Sequence, residues 1–170
     1  MSISLNSDQL SILLYKSFVL DDEAKILERD LGQYLLNIKS QDTILKKYVY
    51  FYLVALVAVA LTTEYESREI MAQVIPKFRN IVSQEAKNRW NIFQEEIDDL
   101  IEEAGITLSK LFFTDPQKFP SLGMEWGIDW LKNVGITQYN PVTVFKISIF
   151  WKSRFTTIMN TLRELDLVSS

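Results

Sequence analysis

Apolar positions along most of this chain recur every three or four residues, the spacing of helices that each bury one face. One stretch departs from that rule. Within LKKYVYFYLVALVAVALTT (residues 45–63), no charge occurs from Tyr48 to Thr63 and every face at helical period is apolar, so the element must be surrounded on all sides. The run exceeds the usual strand length of roughly 4 to 8 residues, contains Ala55, Ala58 and Ala60, and has no glycine or proline near its ends. Those features favour a helix over a strand, despite tyrosines at 48, 50 and 52 that alternate as in a sheet. A membrane span needs about 20 apolar residues, whereas the uncharged run at about 1.5 Å per residue reaches only about 24 Å. A buried central helix is therefore expected, its alanines letting neighbours approach closely and its tyrosine hydroxyls set near a surface or a partner group. Membrane attachment through this helix stands as a further alternative.

The remaining elements read in order. Ser7-Asp8 caps a first helix carrying Leu10, Leu13, Leu14 and Phe18 at helical spacing. Asp21-Asp22-Glu23 supplies the next cap, followed by a stripe of Ile26/Leu27, Leu31, Tyr34/Leu35 and Ile38, with Gly32 weakening it. Ser40 or Asp42 opens the central helix, which is expected to continue through Ile70 and Met71 to a break at Pro76. Phe78, Val82, Ala86, Trp90, Phe93, Ile97, Leu100 and Ala104 then describe one long amphipathic helix stopped by Gly105. Thr107 caps a short segment from Leu108 to Phe113, and Thr114-Asp115-Pro116 with Phe119-Pro120 forms an irregular loop. A helix from Leu122 to Val134 carries Trp126 and Trp130 one turn apart and stops at Gly135. Asn140-Pro141 opens the last helix, whose stripe is Val144, Ile147, Trp151, Phe155, Ile158, Leu162 and Leu165. With Phe145, Ile149 and Phe150 its first two turns are apolar all round and expected to be buried. No repeat is present, and no boundary is stronger than the loop at 114–121. The pattern predicts an all-α fold over residues 1–170, a single-domain bundle of about six or seven helices around a central apolar helix.

Composition narrows the chemistry. With 170 residues, 48% hydrophobic and few glycines or prolines, the chain can bury a sizeable core. A net charge of −4 and a pI of about 5.0, without a clustered basic face, argue against nucleic acid as a partner. There is no cysteine, hence no disulfide, thiol nucleophile or thiolate metal site. There is no histidine either, which removes Ser-His-Asp and Cys-His machinery and ordinary zinc sites. Any metal would be hard and carboxylate-bound, such as magnesium. The absence of cysteine permits the cytoplasm, the simplest expected location, and the first residues, MSISLNSDQL, show no basic n-region or apolar h-region.

Three constellations remain. On the predicted helix 77–104 the cations Lys77, Arg79, Lys87 and Arg89 come first, and Glu95, Glu96, Asp98, Asp99, Glu102 and Glu103 come last, the reverse of what a helix dipole favours. Compensation is expected from solvent, from a basic surface such as Lys146, Lys152 and Arg154 of the last helix, from a partner or from a cation. Asp98-Asp99-Leu-Ile-Glu102 resembles the aspartate-rich motif of isoprenoid synthases over five residues, with no second motif facing it. Glu66-x-x-Glu69 followed by Glu95-x-x-Asp98 is similar to the paired acidic motif of the all-α nucleotide pyrophosphohydrolases. That resemblance implies a magnesium-dependent hydrolase of a nucleotide or diphosphate, with Glu66, Glu69, Glu95 and Asp98 as metal ligands. The family's doubled glutamate appears here as Glu64-Tyr65-Glu66. If the chain turns at Pro76, Glu69 lies about 10 Å and Glu95 about 28 Å from the turn, and only a second break near Ser83 to Asn88 brings the pairs together.

The third constellation is the dense aromatic content of the C-terminal half. Core filling accounts for most of it, and an exposed patch of Phe119, Trp126 and Trp130 on a Pro/Gly loop is the functional reading, since tryptophan anchors interfaces. The reading adopted is a non-enzymatic helical module that binds another protein or self-associates as a homo-oligomer, with no cofactor. The magnesium hydrolase is the alternative.

Overall fold

The computed structural model describes residues 4–26, 43–65, 68–113 and 115–167, and the expected stripe of Leu27, Leu31, Tyr34, Leu35 and Ile38 lies outside them. Everything described is arranged about α3, Thr43–Tyr65. Nine consecutive residues of it, Val49 to Val57, are buried, so no face of the middle of this helix meets water. Each leucine or phenylalanine removed from water there contributes about 1.5 to 3 kcal/mol. The helix is long and apolar enough to cross a bilayer, but 67% of its apolar window is buried inside the fold, the environment of a core helix. The all-α bundle around a central apolar helix is the architecture observed.

Its neighbours follow from the pairs that join them. Helix α4, Met71–Trp90, runs back along α3, so that Trp90 at its end packs on Tyr50 with ring centres 4.8 Å apart. Helix α5, Gln94–Phe112, and helix α7, Pro141–Glu164, run parallel to α3. Lys47 and Glu96 pair at 2.6 Å at one end, while Arg163 and Glu64 pair at 2.9 Å at the other. Helix α1, Ser7–Tyr15, lies along α4, with Ser7 on Gln73 and Tyr15 on Phe78. Helix α6, Phe119–Asn133, packs antiparallel on α7, with Gly123 facing Ser148 and Gly127 facing Val144. Short strands β1, Ser4–Leu5, and β2, Asp166–Leu167, pair in parallel and tie the two ends of the described chain together.

Several boundaries differ from the sequence expectation, each for a local reason. The first N-cap is Asn6, not Ser7-Asp8; its side chain accepts from the Gln9 N–H while Gln9 reaches back to the Asn6 N–H, a complete capping box. Asp21 does not start a new helix. A π-helical turn, Lys16–Leu20, joins α1 directly to α2, Asp21–Lys25. Helix α3 stops at Tyr65 rather than at Pro76, and the turn through Arg68 is held by its guanidinium, which donates to the carbonyls of Leu165 and Arg163. Pro76 lies inside α4. It and Ala72, whose carbonyl loses its helical partner, are both exposed residues, a surface position where such a loss costs least.

The expected helix 77–104 is two helices. Asn91 adopts a left-handed conformation (φ 51°, ψ 44°), which asparagine tolerates better than other residues with a Cβ, and Phe93 is extended before α5 begins. Gly105 does not stop α5, which continues because Leu108 and Leu111 bury on the same side as Ile101 and Ala104. The segment Leu108 to Phe113 is accordingly no separate element capped by Thr107. This break resolves the charge order. Lys87 and Arg89 occupy the last turn of α4, and Glu95 and Glu96 the first turn of α5, both favourable to the helix dipoles. At the far end, Asn140 caps α7 by accepting from the Thr143 N–H at 2.8 Å, with Pro141 in the first turn as expected, and Gly135 makes the turn after α6 at φ +82°.

Candidate functional site

The aromatic residues singled out in the sequence divide between surface and core. Phe119 opens α6, half-buried, with its ring 6.0 Å from that of Phe145 and the Lys152 ammonium 4.0 Å from its centre. Trp126 is 7% exposed and donates its indole N–H to the Thr107 carbonyl at 2.9 Å. Trp130 is fully buried among Tyr52 and Trp151, and its Nε1 has no partner. An exposed Phe119–Trp126–Trp130 patch therefore does not form. The glycine at 127 lets α6 close onto α7, and both indoles of α6 point inward toward Tyr52 of the central helix.

The surface that α6 and α7 do present is different. Val142 is 62% exposed, Ile149 44% and Leu122 38%, with Phe119 and Phe145 half-buried between them. Val142, Phe145 and Ile149 are spaced by three and four residues and lie opposite the buried stripe of Val144, Ile147, Trp151, Ile158 and Leu162. The first turns of α7 are thus apolar all round, as read from sequence, but one of their faces is open to water. Every charge on α7 before Glu164 is positive: Lys146, Lys152, Arg154 and Arg163. Val142 and Ile149 were missed as surface residues because an all-apolar pattern carries no information about which face is covered.

The acidic set does not converge. Glu66 lies outside the described residues. Glu69 sits in the turn before α4, and Glu95 lies beyond the other end of that helix, about 30 Å away along 20 residues. The break falls at Asn91 to Phe93 rather than between Ser83 and Asn88, so it does not fold one pair back on the other. Asp98 instead accepts from Gln94 at 3.1 Å, and among the described residues no group of three or more carboxylates is placed to hold a metal.

Two further features were not legible in the sequence. A cleft of about 380 Å³ between α5 and α6 is lined by Leu111, Leu122 and Trp126 with Lys110, Glu125 and Asp129 at its edges. Beneath it the Tyr52 hydroxyl meets Thr107 and Asn133, and burial pushes its pKa up to about 12. On the opposite side of α3, the hydroxyls of Tyr15 and Tyr50 bond to each other at 3.0 Å. Arg89 lies over the Tyr50 and Trp90 rings and holds buried Glu23 through two bonds of 2.8 and 2.7 Å. Burial raises Tyr15 to about 12 and moves Tyr50 in the same direction. Burial lowers the Arg89 pKa, but the bonds and charge of Glu23 together with Tyr15 and Tyr50 more than offset it, and the net direction is upward. Asp22, also buried, pairs with Arg154. Tyrosines held neutral by burial are structural groups, not activated nucleophiles. No family model, no curated protein and no solved structure compared with this chain matches it.

Proposed function

We propose that this domain works by binding a protein chain through the outer face of α6 and α7. The observation that carries the reading is the open apolar ridge of Val142, Phe145 and Ile149, continued by Phe119 and Leu122. Monomer surfaces ordinarily scatter such residues singly, whereas a contiguous apolar patch edged by charge marks an interaction site. In this reading Phe119 lies within the binding face, and Trp126 and Trp130 support it from below, packed against Tyr52 of α3. With its most apolar helix turned inward, the domain fits a water-soluble protein of the cytoplasm.

Site-specific photo-crosslinking tests this reading. A benzophenone amino acid at position 149 or 142, introduced in the native cells, should give protein adducts. The same group at exposed Asn80 on α4 should give none. Equal adducts at all three positions, or none at 142 and 149, would overturn the assignment.

A further inference from the structure

The ridge on α7 has a counterpart on the same molecule. Along α5, Glu95, Asp99, Glu102 and Ile106 share one face, opposite the buried stripe of Ile97, Ile101, Ala104, Leu108 and Leu111, and Phe113, the C-cap, follows at its end with its ring edge-on to Phe155 at 6.0 Å. Glu95, Asp99, Glu102, Ile106 and Phe113 are all exposed, Ile106 by 53% and Phe113 by 61%. The face is acidic at its start and apolar at its end. The α7 face is the inverse: apolar at Val142, Phe145 and Ile149, then cationic at Lys152. Lys110 is the one cation on α5, and it is turned into the α5–α6 cleft with Glu125 and Asp129.

Resting on the docking face assigned above, we infer that its occupant is a second copy of this chain, whose α5 lies antiparallel on α7. In that direction a single register matches both chemistries. Phe113 meets Val142 and Ile106 meets Ile149, because each pair of anchors is separated by seven residues on its own helix. The next turn then brings Glu102 beside Lys152. A parallel arrangement with Ile106 on Val142 and Phe113 on Ile149 also joins the apolar anchors, but it places Glu102 before the start of α7 and Lys152 beyond the end of α5, so only the antiparallel register pairs the charges as well. The charge match lies in Glu102 of α5 and Lys152 of α7, since Arg154 and Arg163 are already paired with Asp22 and Glu64 within the chain. The contact joins different surfaces, so it closes as a two-fold pair when both α5–α7 contacts form together and otherwise extends head to tail.

The chain contains no cysteine, which makes disulfide trapping direct. Single variants I106C and I149C, mixed and oxidised, should give the mixed disulfide in preference to either homodimer, as should F113C with V142C. The out-of-register mixture I106C with V142C, offset by about 10 Å, should not, since a disulfide needs Cα atoms about 4.4 to 6.8 Å apart. Sedimentation velocity of the wild type should show a concentration-dependent mass. K152E should weaken association about two- to fivefold, with recovery in K152E combined with E102K. The pair V142D and I149D should weaken it roughly thirtyfold or more. A wild type that remains monomeric at its highest soluble concentration, or trapping that ignores register, overturns the inference. So does binding of the monomer to phosphatidylglycerol vesicles that V142D with I149D abolishes. The photo-crosslinking result is independent of these: adducts to other proteins with a monomeric chain would keep the docking face and remove the second copy.

Discussion

Gly127 is the tightest point between α6 and α7, and replacing it with alanine probes how the docking face is built. A Cβ there would lie 2.6 Å from the Val144 carbonyl oxygen, 2.8 Å from Val144 Cγ1 and 3.0 Å from Ser148 Oγ. A carbon meets a carbonyl oxygen comfortably at about 3.3 to 3.6 Å, so the helices must part by roughly 0.7 Å or more. Parting them strains the bond that Ser148 Oγ donates to the Gly123 carbonyl, worth about 1 kcal/mol, and adds an overpacking cost of about 1 to 3 kcal/mol. The better helix propensity of alanine returns about 1 kcal/mol. The net expectation for G127A is a loss of about 1 to 3 kcal/mol. G105A is the internal control: its Cβ would meet only Val59 Cγ2 at 3.8 Å, an ordinary contact, so it should gain about 0.5 to 1 kcal/mol. Urea unfolding followed by tryptophan fluorescence measures both, and thermal midpoints should separate by several degrees at about 2 to 4 °C per kcal/mol. Equal stability of the two variants would refute the close packing of α6 on α7.

Other expectations follow from the same contacts. N91G should be near neutral while N91V loses about 1 to 2 kcal/mol by urea unfolding, because a β-branched residue resists the left-handed conformation. E23Q should destabilise by about 1 to 3 kcal/mol, less than a fully buried pair because the Arg89 side chain is 31% exposed and can be hydrated. Adding R89A to E23Q should cost less than R89A alone, the remainder being the packing of Arg89 on Tyr50 and Trp90, and a cost equal to the sum of the singles would show that the two do not interact. Tyr15 and Tyr52 keep their protons in the fold up to about pH 12 but lose them near pH 10 when unfolded. Stability should therefore be full below about pH 10 and fall as pH rises toward 12, by about 1.4 kcal/mol per pH unit for each tyrosine, a slope that Y52F should reduce.

The parts of this fold that were legible in the sequence are those where side-chain chemistry and backbone need coincide. A run without charge was expected to be wrapped on every side from Tyr48 to Thr63; Val49 to Val57 are, while Ala58 and Val59 are half-buried and Thr62 and Thr63 face water. Asn140-Pro141 and Gly135 marked a helix start and a turn for backbone reasons that hold anywhere. The missed boundary at Asn91 had a signal, since the basic-to-acidic switch from Lys87 and Arg89 to Glu95 and Glu96 fits one helix ending and another beginning. Apolar periodicity hid it, because Trp90, Phe93 and Ile97 happen to continue the step across a break. What no periodicity reveals is which element covers which face. Trp126 and Trp130 turn inward where Gly127 lets α6 settle on α7, and Val142 and Ile149 face water because nothing in the described fold lies over them.

Native-state hydrogen exchange at α3 tests the central architecture most directly. The amides of Val49 to Val57 should exchange only through global unfolding, with opening free energies equal to the stability from urea unfolding and with the same denaturant dependence. Exchange of these amides through smaller local openings, ahead of those in α4 and α5, would contradict a central helix enclosed on all sides.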